Sequence, residues 1–285
     1  MKKNAEMHIP ARVNGSELKI EMRVQIPIFV ISLPEAVERR ALLMAKLEEY
    51  ELSYEMFWAV DCQDVVPQIF EPVLCTESMI KDYGRHLLSA EVGCALSHHM
   101  VYRRIRECVK NAAIVLEDDA IITKTFAEFA KQGSITPDID MLLLCHTDAV
   151  VSMKFPKSLN GGSMAYLIRN MPSCAAGYLV TPQAADYFIK SSLPLSRVAD
   201  WTVDLTGIKT FAAHPQLLYH PSLKRGAHSY IEHERSKIEE TRIKENNRRE
   251  RRHGLSRVMD GTFFKPNYWK EKMEKRKLQP YIKIS

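Results

Sequence analysis

The sequence predicts an α/β protein built on a mostly parallel sheet with helices packed against its faces. Three observations carry that expectation. Short apolar runs rich in branched residues recur at residues 26–33, 112–116 and 140–145, the pattern of strands buried on both faces. The first run, a helical stretch and a second strand candidate follow at the spacing of a strand–helix–strand unit, which points to parallel neighbours. Glu117, Asp118 and Asp119 stand directly after the run 112–116, at the strand end where open α/β sheets bind ligands.

Residues 1–25 are polar with scattered apolar positions and read as an accessory lead-in. Pro34 closes the first strand, and residues 35–50 read as a helix with Val37, Ala41, Met44, Ala45 and Leu47 near one face. Arg39 and Arg40 lie in this helix close to the strand end. Either could reach a phosphate, although a surface arginine is the default reading. A second strand is expected over residues 55–60. Residues 61–88, with Pro67 and Pro72, show no clear period and read as a long loop with short helical pieces.

Ser89 is the expected N-cap of the next helix, with Glu91 in its first turn. Ala90, Cys94, Ser97, Val101, Ile105 and Cys108 recur at helical spacing as its buried face, and Glu91, His98 and Tyr102 share another. After the acids and a second short apolar run, Thr123 or Thr125 caps a helix through Lys131. Residues 146–172 read as irregular, with Gly161 and Gly162 marking a turn. Residues 174–180 form a strand of small residues that permits close approach of a ligand or another backbone. Thr181 and Pro182 start a helix as N-cap and first helical residue. Asp200 and Trp201 open a further segment, with a helix cap as the plain role for Asp200. Residues 214–221 form a short strand between prolines, and the chain beyond is polar and basic, with a late aromatic group at Phe263, Phe264, Tyr268 and Trp269.

The chain of 285 residues is long enough for one large domain with appendages, and its 46% hydrophobic and 26% charged residues are ordinary for a globular protein. No run approaches the length of a membrane span, and Lys2, Lys3, Asn4, Glu6 and His8 break up any apolar signal core. A cytoplasmic location follows as the expectation. Six widely spaced cysteines without a Cys-x-x-Cys pair favour reduced, mostly buried thiols. The net charge of +5 is concentrated in basic clusters at residues 235–252 and 270–277. Such a tail suits an anionic membrane face or a phosphorylated glycolipid, while the interspersed Glu239, Glu240, Glu245 and Glu250 equally suit a solvated helix.

Adjacent carboxylates repel one another unless a cation, hydrogen-bond donors or open water stabilise them. On an extended backbone Glu117 and Asp119 point to one side and Asp118 to the other, a pair of oxygen ligands suited to Mg2+ or Mn2+. Taken alone, the triplet reads equally well as helix caps or solvated loop residues.

Several segments together resemble glycosyltransferase family 25, the bacterial lipooligosaccharide galactosyltransferases and their collagen-modifying relatives. They are Val30-Ile31-Ser32-Leu33 with Glu38-Arg39-Arg40, the run from Ala90 to His98, and Leu116-Glu117-Asp118-Asp119. Further on come the run from Ala176 to Val180 with Ala184, then Asp200, and the run from Ser229 to Arg235. The set occurs in the family's order over roughly residues 26–235. The resemblance implies a GT-A type, Rossmann-like domain over residues 26–235, while residues 236–285 read from their charge pattern as a basic helical tail. It implies transfer of a hexose, galactose from UDP-galactose first among the choices, to a lipooligosaccharide or related glycan with inversion. Glucosyl and N-acetylhexosaminyl transfer stay open.

The same resemblance implies Mn2+ or Mg2+ held by Asp119 and Glu117, with His233 as a candidate third ligand. It implies donor contacts from Ser32, Leu33, Arg39, Arg40, Ser97, His98, Glu117 and Asp118. Asp200 is the first choice for the base, followed by Glu91 and Asp204. A response-regulator reading of residues 114–119 fails because the later strand that must end in a phosphate-accepting aspartate ends in Cys145. A nucleic-acid-binding module, suggested by the basic tail, lacks any accompanying motif.

Overall fold

The computed structural model describes residues 25–62, 66–83, 85–132, 138–197, 200–221 and 281–284. The first strand, β1 (Ile28–Ser32), is followed by α1 (Val37–Glu49) and β2 (Glu55–Trp58). A 3-10 turn (Gln68–Val73) and α2 (Thr76–Tyr83) occupy the expected long loop. Then come α3 (Ser89–Cys108), β3 (Ala113–Glu117), β4 (Ile121–Ile122) and α4 (Lys124–Ala130). The second half carries β5 (Met141–Leu143), β6 (Ala149–Ser152), β7 (Lys157–Ser158), β8 (Met164–Leu167) and β9 (Gly177–Val180). It continues through α5 (Pro182–Ser191), a 3-10 turn (Leu205–Gly207), β10 (Thr210–His214), β11 (Leu218–Tyr219) and β12 (Tyr281–Ile284).

Eight strands form one sheet in the order β2-β1-β3-β9-β5-β10-β8-β7. Strand β1 is parallel to β2 and to β3, as the strand–helix–strand spacing predicts, and β5 is parallel to β10. The other four pairings are antiparallel. The sheet is therefore mixed, which corrects the expectation of a mostly parallel one. A parallel neighbour needs a crossover that returns the chain to the strand's starting edge. Instead the chain enters β9 from the edge at which β3 and β5 end, with Leu116 opposite Gly177, and runs back between them.

Alternate residues of the strands feed two apolar layers. Ile28, Val30, Ile114, Leu116 and Leu179 pack with Leu43 and Leu47 of α1 and Phe126 and Phe129 of α4. Phe29, Ile31, Val115, Tyr178 and Val180 pack with Val101 and Ile105 of α3 and Phe188 of α5. Burial on both faces explains why these strands read as unbroken apolar runs.

Local signals hold at several boundaries. Thr123, rather than Thr125, caps α4, its hydroxyl accepting from Phe126 N. Thr181 caps α5 with Pro182 at its first position. Ser89 is not a cap. Leu88 occupies that place, and its N–H donates to the Glu91 carboxylate at 2.9 Å. Cys108 is exposed, not buried, whereas Glu91, His98 and Tyr102 are buried. The supposedly irregular 146–172 holds three short strands, β10 (Thr210–His214) precedes the strand expected over 214–221, and β11 (Leu218–Tyr219) falls within it. Of the expected helical tail, residues 236–280 lie outside the described residues. Residues 281–284 form a strand paired antiparallel with β6, Ile282 opposite Val151.

Candidate active site

Strand β3 delivers Glu117 to the edge where β1 and β5 also end, because Ile31 and Glu117 are paired in register. The backbone then turns, Ala120 N–H donating to Glu117 O at 3.1 Å, before β4 resumes. That turn, not an alternating strand, sets the directions of the three acids. Asp118 faces β1 and accepts from the Ser32 hydroxyl at 2.8 Å. Asp119 faces β11, whose pairing with β4 (Leu218 opposite Ile122) sets His220 beside it. His220 Nε2 lies 3.1 Å from Asp119 Oδ2.

The approach of β11 requires a glycine. A Cβ on Gly177 would lie 2.4 Å from Leu218 Cδ2 and 3.2 Å from Leu116 Cδ2. This is the close backbone approach that the small-residue strand suggests. At the other side of the site Ser97 ties α3 to the chain after β2, its hydroxyl accepting from Val60 N at 2.8 Å and donating to Gly93 O at 2.6 Å.

Arg39 spans two of the acids. Its Nε is 2.7 Å from Asp118 Oδ1 and its Nη2 is 2.8 Å from Asp119 Oδ2. Burial works against the guanidinium charge, but Asp119, Asp118 and Glu117 outweigh it and hold the Arg39 pKa above its ordinary value. Burial pushes the Asp118 carboxyl up, only partly offset by Arg39 and Ser32. Burial pushes Asp119 the same way, yet the His220 hydrogen bond and the Arg39 charge bring it below the usual range. Asp119 Oδ1 is buried and has no hydrogen-bond partner among the described residues. A buried carboxylate oxygen in that state calls for an ion or a donor.

One carboxylate oxygen of Glu117, one of Asp119 and one ring nitrogen of His220 lie within 4.8 Å of one another. Oxygen and imidazole ligands at that spacing fit Mn2+ more readily than Mg2+, which prefers oxygen alone. The residues present thus fit a divalent cation, and the orphaned Asp119 oxygen is the observation in its favour. His233, the ligand suggested by resemblance, lies outside the described residues.

Behind Glu117 runs a buried polar chain. His98 Nε2 is 3.1 Å from Glu117 Oε1, His98 Nδ1 is 2.7 Å from the Tyr178 hydroxyl, and that hydroxyl is 3.0 Å from the hydroxyl of Tyr102. The Tyr178 O–H donates to Tyr102, so its oxygen accepts from His98 Nδ1–H and the ring presents Nε2 to Glu117. Burial pushes the Tyr178 hydroxyl pKa well up, so the phenol keeps its proton for the bond to Tyr102. Tyr178 packs edge-on against Trp201, whose indole N–H donates to Pro172 O at 2.7 Å. Trp201 is buried and no helix starts there, so Asp200 is not a helix cap. The Asp200 charge reaches the site: after burial and Glu117, it is a cause of the raised Cys94 thiol pKa.

Ser32, Arg39, His98, Glu117, Asp118 and Asp119 are therefore brought together. Arg40 and Leu33 shape the turn between β1 and α1, with Arg40 donating to Leu33 O at 2.8 Å and Pro34 O at 2.9 Å. Glu91, fully buried, accepts two hydrogen bonds from Arg85 at 2.8 and 2.9 Å besides that from Leu88 N. Asp204 caps the 3-10 turn at Leu205. Sequence reasoning missed His220, whose place depends on β4 meeting β11. It also missed the role of Tyr178, which reads only as a strand residue. A histidine ending an apolar strand before a proline was the one local signal for His220.

Carboxylates gathered at the strand ends of a helix-flanked sheet stand where α/β proteins bind their ligands. The sequence profile of Glycosyltransferase family 25 (LPS biosynthesis protein) matches residues 25–206, which include β1, α3, the three acids and Asp200, and this chain belongs to that family. A protein of Acanthamoeba polyphaga mimivirus named "Putative glycosyltransferase R655" is 27% identical over 229 residues, 75% of this chain and 69% of its own. A Haemophilus influenzae protein named "Putative glycosyltransferase" is 27% identical over 57% of this chain and 56% of its own length. The mouse protein "Inactive glycosyltransferase 25 family member 3" is 30% identical over 35% of this chain, which spans 17% of that relative.

Proposed function

We propose that this protein is an inverting, divalent-metal-assisted hexosyltransferase of GT-A type. Its donor is UDP-galactose; its acceptor is a lipooligosaccharide or related glycan, a choice that the family's description as an LPS biosynthesis protein favours. The observation that carries the reading is Asp119, whose buried Oδ1 lacks a partner beside Glu117 and His220. Glu117, Asp119 and His220 hold the cation, with the His220 imidazole in the place that resemblance gave to His233. When bound, the cation supplies positive charge to the diphosphate as the nucleotide departs.

The chain's own groups do the rest. Arg39 holds Asp118 and Asp119 in place and keeps the carboxylate row from repelling itself. Ser32, Leu33 and Arg40 form the turn against which the nucleotide lies, and His98 orients Glu117. Asp200 takes the proton from the acceptor hydroxyl as its oxygen bonds to the anomeric carbon, while the bond from that carbon to the diphosphate breaks on the opposite face. Glu91 is committed to Arg85 and the start of α3, and Asp204 to Thr206 at the 3-10 turn, which favours Asp200 for the base role. Residues 26–235 form the catalytic unit. The basic stretch after 235 meets the anionic membrane face or the phosphates of a glycolipid acceptor. No helix among the described residues is long and apolar enough to cross a membrane, and contact by this stretch requires none.

A screen of nucleotide sugars for hydrolysis and transfer, with Mn2+ and with EDTA, tests the reading. Metal-dependent turnover of UDP-galactose is expected, and Asp200→Asn should cut turnover by about 10²–10⁴-fold while leaving donor binding nearly unchanged. Turnover insensitive to EDTA would remove the cation. No turnover of any donor would set this chain beside the inactive relatives. Deleting residues 236–285 should weaken binding to anionic vesicles at low salt.

A further inference from the structure

A second cluster of metal-ligating atoms shares Glu117 but lies on its α3 side. Cys94 Sγ, His98 Nε2 and a Glu117 carboxylate oxygen are within 4.8 Å of one another. The measured spans are 3.9 Å from Cys94 Sγ to Glu117 Oε1 and 3.1 Å from His98 Nε2 to the same oxygen. Ligands at Zn–S about 2.3 Å and Zn–N or Zn–O about 2.0 Å sit roughly 3.3–3.5 Å apart around a tetrahedral ion. The two spans bracket that range, so small rotations of the side chains close the site.

Cys94 and His98 are four apart on α3 and so project from one face of the helix. His98 is held on its far side, Nδ1 lying 2.7 Å from the buried Tyr178 hydroxyl, which fixes Nε2 toward Cys94 and Glu117. An outer-shell hydrogen bond to the second ring nitrogen is the usual support of a metal-bound histidine. Tyr178 is itself held by Tyr102 at 3.0 Å. Cys94 and Glu117 are half-buried, so solvent reaches two of the three ligands and a water can serve as the fourth.

We propose that Cys94, His98 and Glu117 form a binding site for a borderline-soft divalent cation of the Zn2+ type, separate from the Glu117, Asp119 and His220 group. Sulfur, nitrogen and one carboxylate select Zn2+ or Co2+ over Mg2+ and Mn2+. Binding displaces the thiol proton of Cys94 to water as the thiolate–metal bond forms. Glu117 belongs to both groups, so a cation here changes the ligand set left to Asp119 and His220.

The test is Co2+ titration of the full-length, tag-free, reduced protein followed by absorption. It is independent of any transferase activity. The expected result is a thiolate-to-cobalt charge-transfer band in the near ultraviolet that Zn2+ abolishes and excess Mg2+ does not. Cys94→Ser should lose the band. Tyr178→Phe should keep it with metal affinity reduced about 10–100-fold. His220→Ala, which dismantles only the other group, should retain it. Should Cys94→Ser fail to fold, His98→Gln carries the comparison, with metal affinity expected to fall at least about tenfold. A wild-type protein without the band, or a band undiminished in folded Cys94→Ser, would overturn the proposal.

Discussion

At the scale of single residues the site is a charge-balancing problem solved by Arg39 and His220. The His220 ring is pushed down by burial, but the Asp119 hydrogen bond and charge outweigh that and hold it above its ordinary pKa. Its contribution to stability is complete below the unfolded value of about 6.5 and is lost as pH rises through the raised folded value. Asp119 sits below its ordinary range, so its contribution is complete above about 3.9 and is lost as pH falls through the lowered folded value. The pair therefore stabilises fully between about pH 4 and 6.5. In metal-free protein the difference in thermal midpoint between wild type and His220→Gln should be largest in that window and shrink on the alkaline side. A difference that stays flat from about pH 5 to 9 would remove the ionic part of the contact.

Elements meet at this site through close packing of β9, β4 and β11. Gly177→Ala places a methyl group against Leu218 and should cost about 1–3 kcal/mol of stability by chemical denaturation. The double change with Leu218→Ala should cost less than the two single changes added together. Strict additivity would place the strain elsewhere. Thr123 joins the same region in two ways, capping α4 and donating from its hydroxyl to Leu217 O at 2.6 Å. Thr123→Ala should therefore cost about 1–2 kcal/mol, at or above the usual value of a cap. Thr123→Ser, which keeps both bonds, should recover most of that loss. At this scale the sequence was readable where a signal is local. Runs for β1, β3 and β5, the caps Thr123 and Thr181, and the spacing of β1, α1 and β2 all depend on near neighbours. Strands β6, β7, β8 and β10 went unread because they are short and draw their partners from distant segments.

Across the whole molecule the last described strand returns to pair with a strand from the middle of the chain. Strand β12 covers β6, a strand outside the eight-stranded sheet whose Val151 is buried. A protein ending at residue 280 should show a lower thermal midpoint and faster amide exchange over Ala149–Ser152. Unchanged exchange there would mean that the pairing contributes nothing. The same long reach governs the site, since Asp119 and His220 are 101 residues apart and Ser32 and Asp118 are 86 apart.

The sequence by itself determined the helix-flanked sheet, the row of carboxylates at a strand end and the residues by which the family is met. Each is written in contiguous segments, where apolar periodicity and capping act over a few residues. The tertiary structure decided the antiparallel insertion of β9, the choice of His220 as partner of Asp119, and the turn of His98 toward Glu117. Those depend on which distant strands pair and which buried polar atoms then find donors, and neither is encoded in any one stretch of the chain.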